Sequence, residues 1–255
     1  MTKKRLDVFL VERGFFESRA RAQAAILAGS VLVNGQKVKS SGQKVDESAE
    51  IKIIGDTNPY VSRGGLKLEG ALKAFAFDVK DAVALDVGIS TGGFADCLLQ
   101  HGAKKIYGVD VGYGQLAWKL RQDERVVIFE RSNIRFLDKS KIPEPIGIAT
   151  IDVSFISLTL VIPKIVEIIK DGGYILALIK PQFELSKQDV KRGGVVRDKE
   201  LQLAAVNKIE GFSKSSGLEV RGVAPSAILG PKGNQEYFIL LKKPSAINSG
   251  RGLNR

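Results

Sequence analysis

Beyond residue 81, apolar residues come in short continuous runs separated by longer amphipathic segments. The run at 82–87 has no polar alternation, as expected of a strand that is buried on both faces. Strands that alternate with helices predict a doubly wound, mostly parallel sheet, and the last two strands, with no helix between them, predict an antiparallel pair at one edge. The predicted strands are 82–87, 105–111, 126–129, 146–152, 174–180, 218–224 and 236–242, and the predicted helices are 94–100, 158–169 and 200–214.

The beginning of the chain shows another pattern, two short amphipathic helices followed by a hairpin. The helices are predicted at 5–14 and 18–28, the second capped by Ser18. Asn34-Gly35 stands between apolar residues and is a strong hairpin signal. The predicted apolar faces are Leu6, Phe9, Leu10 and Val11 in the first helix, and Ala24, Ile26 and Leu27 in the second.

Turn-forming residues separate the two patterns. Residues 55–60 are Gly-Asp-Thr-Asn-Pro-Tyr and break the periodicity on both sides. We therefore expect a small domain at 1–55, a linker at 56–62 and a larger domain at 63–245. The Gly-, Asn- and Arg-rich tail at 246–255 is expected to be disordered.

Composition and charge narrow the possible partners and compartments. The 255 residues carry 39 Lys and Arg against 28 Asp and Glu, a net charge of +11, and residues 1–43 hold 8 basic and 3 acidic side chains. This excess favours a nucleic-acid partner. One Cys and one His exclude an internal disulfide and a Cys- or His-cluster metal site, and they favour the reducing cytoplasm. The basic residues at 3–5 are not followed by an apolar stretch of signal-peptide length, and no apolar run approaches the roughly 20 residues of a membrane helix, so a membrane location is not expected.

A glycine-rich turn follows the first predicted strand of the larger domain. Residues 85–94 are Leu-Asp-Val-Gly-Ile-Ser-Thr-Gly-Gly-Phe, which matches neither the dinucleotide fingerprint nor a phosphate-binding P-loop. Asp86, the acid before the turn, suits a cationic ligand, and Asp110, the acid after the next strand, suits the hydroxyls of a ribose. We expect Gly92 and Gly93 to let the ligand approach the backbone. This combination predicts S-adenosylmethionine as the cofactor. Its candidate residues are Asp86, Gly88, Ser90, Thr91, Gly92, Gly93, Phe94, Asp110 and Asn133, although Asn133 fits a surface turn equally well.

Four ionisable residues stand at the ends or beginnings of predicted elements. Asp152 and Lys180 end the fourth and fifth strands, Glu236 begins the last strand, and Lys67 precedes the first. Ligands of doubly wound sheets bind outside the carboxyl ends of the parallel strands, and Glu236 reaches that edge if its strand runs antiparallel. A structural ion pair is the alternative for any single residue, but all four together predict a catalytic site that needs no metal.

The small domain resembles the RNA-binding domain named after ribosomal protein S4. The matching residues are Arg5-Leu6-Asp7, 18–23 and 29–35. The resemblance implies docking on structured RNA through its phosphates. The candidate contacts are Lys3, Lys4, Arg5, Arg19, Arg21, Lys37 and, from the second domain, Arg63.

The order Lys67, Asp152, Lys180, Glu236 resembles the Lys-Asp-Lys-Glu tetrad of FtsJ/RrmJ-type ribose 2′-O-methyltransferases. The small domain and the motifs at 62–67 and 86–94 extend the resemblance, and the whole chain looks like a member of the TlyA family. Members of that family also bear the label haemolysin. The resemblance implies an α/β, Rossmann-like methyltransferase that modifies cytidine 2′-hydroxyls in ribosomal RNA or ribosomal subunits. Lys180 would act as the base or would orient the hydroxyl. We expect a monomer, with the oligomeric state left open.

Several other functions fit the residues less well. Pseudouridine synthases carry the same small domain, but Arg5-Leu6-Asp7 lies in its first helix rather than in an active site. Base-amine methylation usually goes with a Pro-Pro motif that Asp152-Val-Ser-Phe lacks, and Cys97 is expected in the core rather than as a nucleophile. A non-catalytic assembly factor and a haemolysin remain as alternatives. Residues 181–194 are expected to form a loop that either covers the RNA or lies in solvent.

Overall fold

In a computed structural model, the chain divides into two compact units, Met1–Asn58 and Pro59–Arg255. The structure describes residues 3–16, 18–27, 29–38, 40–54, 58–186, 188–190 and 193–245. The predicted tail at 246–255, the first part of the predicted linker at 56–62, and Lys187, Lys191 and Arg192 of the predicted loop lie outside the described residues.

The small unit combines two helices with two small antiparallel sheets. Strand β1 pairs with β4, and β2 pairs with both β3 and β5. Asn34 and Gly35 both have positive φ, at 51° and 78°, as a tight hairpin turn requires, so the predicted hairpin is confirmed. The elements are β1 Lys3–Arg5, α1 Leu6–Glu12, α2 Arg19–Leu27, β2 Val31–Val33, β3 Gln36–Lys37, β4 Lys44–Asp46 and β5 Ile51–Ile53.

The core of the small unit confirms one predicted helix face and corrects the other. Leu6, Phe9 and Leu10 of α1 are buried as expected. In α2 the buried residues are Ala22 and Ile26, which lie one helical turn apart. Of the predicted face, Ala24 and Leu27 are exposed, because they lie to either side of that stripe.

A buried carboxylate joins the two helices of the small unit. Asp7 accepts hydrogen bonds from Arg5 Nε at 3.1 Å, Arg5 Nη2 at 3.0 Å, Arg19 Nη2 at 3.1 Å and Gln23 Nε2 at 2.7 Å. The hydrogen bonds from Arg5, then those from Gln23 and Arg19, hold the pKa of Asp7 well below its usual range despite its burial. Two predicted RNA contacts, Arg5 and Arg19, are thus held by Asp7 while their side chains remain half-exposed.

The large unit is built on a seven-stranded sheet in the order β11-β12-β10-β9-β6-β7-β8. Strand β12 is antiparallel to both β10 and β11, and the other pairs are parallel, so the predicted sheet and its antiparallel edge are confirmed. The strands are β6 Val83–Val87, β7 Lys105–Val109, β8 Val126–Phe129, β9 Ile146–Ile151, β10 Ile169–Ile179, β11 Glu219–Pro225 and β12 Tyr237–Lys242. The helices are α3 Arg63–Ala74, α4 Gly93–Gln100, α5 Trp118–Arg121, α6 Ile162–Ile168, α7 Pro181–Glu184 and α8 Lys199–Ser215.

Helices cover both faces of this sheet. Leu85 and Val87 of β6 face a core that includes α6 and α8, and Ala84 faces a second core with α3 and α4. Because side chains alternate along a strand, Asp86 lies on the same face as Ala84. Helices α3, α5 and α7 were not predicted from the sequence. Among the helices of the described ranges, none is both long and apolar enough to cross a membrane.

Replacing Asp7 by alanine should destabilise the small unit. The change removes the buried acceptor that joins α1 to α2, and lost hydrogen bonds of this charged kind typically amount to about 2 kcal/mol. Hydrogen exchange of the α1 and α2 amides should become faster, while exchange in the large unit stays the same. The matched control is Glu12→Ala, which removes an exposed partner of Lys4. Equal exchange in the two variants would contradict the structural role of Asp7.

Candidate active site

A cavity of about 610 Å³ opens at the carboxyl edge of the sheet in the large unit. Ligands bind at this edge in doubly wound folds, because the loops that follow the parallel strands converge there. All four predicted catalytic residues line the cavity, and so do five of the predicted cofactor residues. They are Lys67, Asp152, Lys180 and Glu236, together with Gly88, Ser90, Thr91, Gly93 and Phe94.

The first ion pair of the cavity joins a helix to the start of the last strand. Lys67 lies in α3, and its Nζ is 2.5 Å from Oε2 of Glu236, the residue before β12. Both side chains are almost completely buried, with 9% and 1% exposed. Removing one partner of such a pair leaves an uncompensated buried charge, which typically costs about 3–5 kcal/mol. The pair therefore fixes α3 and the start of β12 to each other.

The second ion pair joins two neighbouring parallel strands. Lys180 follows β10 and Asp152 follows β9, and Lys180 Nζ lies 2.5 Å from Asp152 Oδ1. The same Nζ donates a hydrogen bond to Ser154 Oγ at 3.0 Å. The backbone amide of Asp152 also donates to the carbonyl of Val87 at 2.9 Å, which attaches this loop to β6.

Further contacts attach the loop after β9 to α7, and the sequence did not predict them. The carboxylate of Glu184 is buried, accepts hydrogen bonds from Ser157 Oγ at 2.5 Å and from the Leu158 amide at 2.8 Å, and so holds the two segments together. The rings of Phe155 and Phe183 pack with their centroids 4.9 Å apart. The sequence did offer one signal for these contacts: residues 181–184 directly follow Lys180, which was expected at the carboxyl edge of the sheet.

Phe155 has an unusual conformation for a large side chain. Its φ is +63°, a region that bulky residues rarely adopt, and 90% of the residue is exposed. Strained backbone of this kind persists where the surrounding contacts enforce it, and it concentrates at functional sites. The strain here presents an aromatic ring in the lining of the cavity, beside Ser154 and Lys180.

The glycines of the turn allow neighbouring elements to pack closely against it. A Cβ at Gly92 would lie 2.2 Å from Leu120 Cδ1, and one at Gly93 would lie 2.2 Å from Ser62 Oγ. A Cβ at Gly88 would lie 2.4 Å from the carbonyl oxygen of Asp152. The missing side chains thus make room for neighbouring elements, while Gly88 and Gly93 also line the cavity and Gly92 does not.

Asp86, in β6 directly before the turn, is completely buried and is not among the residues that line the cavity. Thr150 Oγ1 donates to its Oδ1 at 2.8 Å, and among the described residues no donor stands in good geometry with Oδ2. Burial raises the pKa of Asp86 to about 7, with smaller contributions from the charges of Asp152 and Asp110, although the hydrogen bond from Thr150 opposes the shift.

The two remaining predicted cofactor residues lie beyond the cavity lining. The carboxylate of Asp110 accepts hydrogen bonds from the amides of Ser90 at 2.8 Å and Gly112 at 2.7 Å, so it shapes the turn. The side-chain oxygen of Asn133 accepts from the amide and the Nε of Arg135, at 3.1 Å and 3.3 Å. Asn133 therefore caps a local turn, which is the alternative that the sequence left open.

Comparison with known proteins accounts for both units. Residues 60–243 match the model of the FtsJ-like methyltransferases, and residues 4–51 match that of the S4 domain. The chain belongs to the FtsJ-like methyltransferase family.

Relatives of this FtsJ-like methyltransferase carry two kinds of name. The 16S/23S rRNA (cytidine-2′-O)-methyltransferase TlyA of Mycobacterium tuberculosis is 41% identical, and the match covers 94% of this chain and 90% of the relative. A solved structure from Streptococcus thermophilus, described as a candidate hemolysin, is 42% identical with a TM-score of 0.75, covering 96% of this chain and 90% of that one. A Listeria monocytogenes structure, described as a candidate S-adenosylmethionine-dependent methyltransferase, shares the fold at 16% identity, with a TM-score of 0.53 over 72% of this chain and all of that one.

S-adenosylmethionine is the cofactor of this FtsJ-like methyltransferase, and the residues at the glycine-rich turn fit it. The methionine end of the cofactor is cationic, and the unsatisfied Oδ2 of Asp86 is a buried acceptor that positive charge would favour. Asp110 stands at the end of β7 and keeps lone pairs for ribose hydroxyls beside its two amide contacts. Gly88, Ser90 and Thr91 would supply backbone contacts from the lining of the cavity.

The raised pKa of Asp86 predicts a pH dependence of cofactor binding. Below about pH 7 the carboxyl is neutral, and above it the carboxylate would attract a cationic ligand. The affinity for S-adenosylmethionine should therefore fall as the pH is lowered through 7, by at most about tenfold per pH unit. Calorimetric titrations between about pH 5.5 and about pH 7.5 measure this. The isosteric Asp86→Asn variant should bind more weakly at the upper end and show no such slope; identical profiles for both proteins would contradict the assignment.

Proposed function

We propose that this FtsJ-like methyltransferase transfers a methyl group to the ribose 2′-hydroxyl of a cytidine in ribosomal RNA. The observation that carries the proposal is the convergence of two lysine–carboxylate pairs, Lys67–Glu236 and Lys180–Asp152, on the cavity that the glycine-rich turn also lines. The printed name of the Mycobacterium tuberculosis relative supports cytidine as the acceptor.

The chemistry requires removal of a proton from a weakly acidic hydroxyl. S-adenosylmethionine supplies the methyl group on a positively charged sulfur. In our assignment Lys180 orients the 2′-hydroxyl and, after its ammonium has released a proton to solvent, takes the hydroxyl proton as the oxygen–carbon bond forms and the sulfur–carbon bond breaks. Asp152, 2.5 Å away, then stabilises the ammonium that forms, and Ser154 Oγ accepts one of its hydrogen bonds. Lys67 and Glu236 also line the cavity, and we assign them to positioning, which supplies much of the rate of an in-line displacement.

The aromatic pair beside Lys180 supports a nucleotide acceptor. RNA-modifying enzymes commonly stack the bases of single-stranded nucleotides on aromatic side chains. The exposed Phe155 packs against Phe183, whose ring centroid is 6.0 Å from Lys180 Nζ. A base stacked on Phe155 would place its own ribose close to the amine that acts on the hydroxyl.

Cys97 argues against methylation at carbon five of a pyrimidine. That reaction needs a thiolate nucleophile, and only the thiolate form is reactive. Cys97 is completely buried in α4 and does not line the cavity. Burial raises the pKa of its thiol to about 12, so the thiolate is scarce at neutral pH.

The S4 domain supports docking on RNA through phosphates. Its candidate RNA contacts form different ion pairs within the protein. Lys4 pairs with Glu12 and Glu47, whereas Arg5 and Arg19 both pair with the buried Asp7. In the large unit, Arg63 lines the cavity and donates to the carbonyl of Leu229 at 3.2 Å. Lys3, Arg21 and Lys37 complete the proposed set.

Transfer of labelled methyl groups to purified ribosomal subunits tests the proposal. Lys180→Ala should lower the rate by about 100-fold or more, as loss of a general base usually does. The matched control is Lys214→Ala, in the last turn of α8, which should retain full activity. Nuclease digestion and mass spectrometry should locate the label on the 2′-oxygen of a cytidine.

Other outcomes of this experiment would support the competing functions. Subunit binding without methyl transfer by the wild-type protein would indicate a non-catalytic assembly factor. A label on a base would exclude ribose as the acceptor, and full activity of Lys180→Ala would overturn the mechanism. Lysis of cells by the pure protein would support the haemolysin that the Streptococcus thermophilus structure is named for.

A further inference from the structure

Large apolar side chains are exposed on the loops that follow β7 and β8. Tyr113 is 66% exposed, Trp118 72% and Phe136 78%, and Val111 beside them is 71% exposed. Single exposed apolar residues are ordinary on protein surfaces, whereas several that share one region indicate an interaction site.

Hydrogen bonds and an ion pair connect these loops into one surface. The amide of Arg131, after β8, donates to the carbonyl of Gly112, after β7, at 2.9 Å. Glu130 accepts from the amide of Gly114 at 2.8 Å and pairs with Arg121 of α5 at 2.5 Å. Helix α5 begins at Trp118, so the same carboxylate joins this third segment to the other two.

Two exposed arginines lie over aromatic rings of this surface. The guanidinium carbon of Arg131 is 4.2 Å from the ring centroid of Tyr113, and that of Arg135 is 5.2 Å from the centroid of Phe136. We define the aromatic–arginine surface as Tyr113, Trp118, Arg131, Arg135 and Phe136. Flat π-faces beside fixed positive charge complement a partner with flat bases and a negative backbone.

We infer that the aromatic–arginine surface binds unpaired bases of the RNA next to the methylated nucleotide. The inference rests on the proposed function, since it takes the RNA substrate as the partner. The surface continues into the rim of the cavity: Ser90 lines the cavity and contacts Asp110 and Gln115, which lie on either side of Tyr113. A strand of RNA with one nucleotide in the cavity can therefore reach these rings with its neighbours.

Substitution of the rings tests the inference. Tyr113→Ala and Phe136→Ala should each raise KM for ribosomal subunits by about tenfold, the size of one lost base stack, with kcat nearly unchanged. Tyr113→Trp keeps a stacking face and should have a KM close to that of the wild type, whereas Tyr113→Leu should show the same rise in KM as Tyr113→Ala. The matched control is Leu203→Ala, which removes a 53% exposed apolar side chain from α8. Circular dichroism confirms that each variant is folded.

Two further measurements separate the possible outcomes. Calorimetry with S-adenosylmethionine alone should give equal affinities for wild type and variants; a tenfold loss there would assign the rings to the cofactor and overturn the inference. Direct binding of subunits without cofactor should weaken in the alanine variants, and unchanged binding and KM would also overturn it. If the wild type binds subunits but transfers no methyl group, the proposed function fails, while the binding data still decide the role of the surface.

Discussion

The ion pair between Lys67 and Glu236 is the constraint on which the rest of the active site depends. The two residues are 169 positions apart, and neither tolerates its burial without the other. Their meeting requires β12 to run antiparallel to β10. In a parallel strand of the same length, Glu236 would lie at the opposite edge of the sheet, roughly 20 Å away. The direction of one strand therefore decides whether the cavity has its second acid.

The second pair, Lys180 with Asp152, depends on the position of the loop after β9 rather than on the direction of a strand. Lys180 and Asp152 follow neighbouring parallel strands, so their approach is expected of the fold. What the fold alone does not give is the strained conformation of Phe155, which lines the cavity together with this pair. That conformation is held from both sides, because the Asp152 amide is bonded to β6 and Glu184 holds the Leu158 amide. The buried carboxylate of Glu184 thus supports the loop that carries the 90% exposed Phe155.

Short apolar runs were sufficient to predict the seven strands of the large sheet. The strand-end rule predicted that Asp152, Lys180 and Glu236 would lie at one edge of the sheet, whereas Lys67 lies in the unpredicted α3 and was singled out by the resemblance of the tetrad. The glycines of the turn were harder to interpret, because the sequence does not show which neighbouring residue occupies the space that a side chain would fill. Leu120 fills that space at Gly92, and Ser62 fills it at Gly93. Helix α7 is only four residues long, too short to leave a periodic pattern, so the position of Glu184 could not be predicted.

The excess positive charge of the chain divides into groups with different surroundings. Lys67 and Lys180 are each balanced by a carboxylate in the cavity, so the two pairs add no net charge there. Arg5 and Arg19 share one buried carboxylate, so this group keeps a net positive charge while its side chains are already oriented. Ordering long side chains before a ligand arrives lowers the entropic cost of binding. A buried acid beneath two half-exposed arginines therefore favours contact with phosphate, even though it cancels part of their charge.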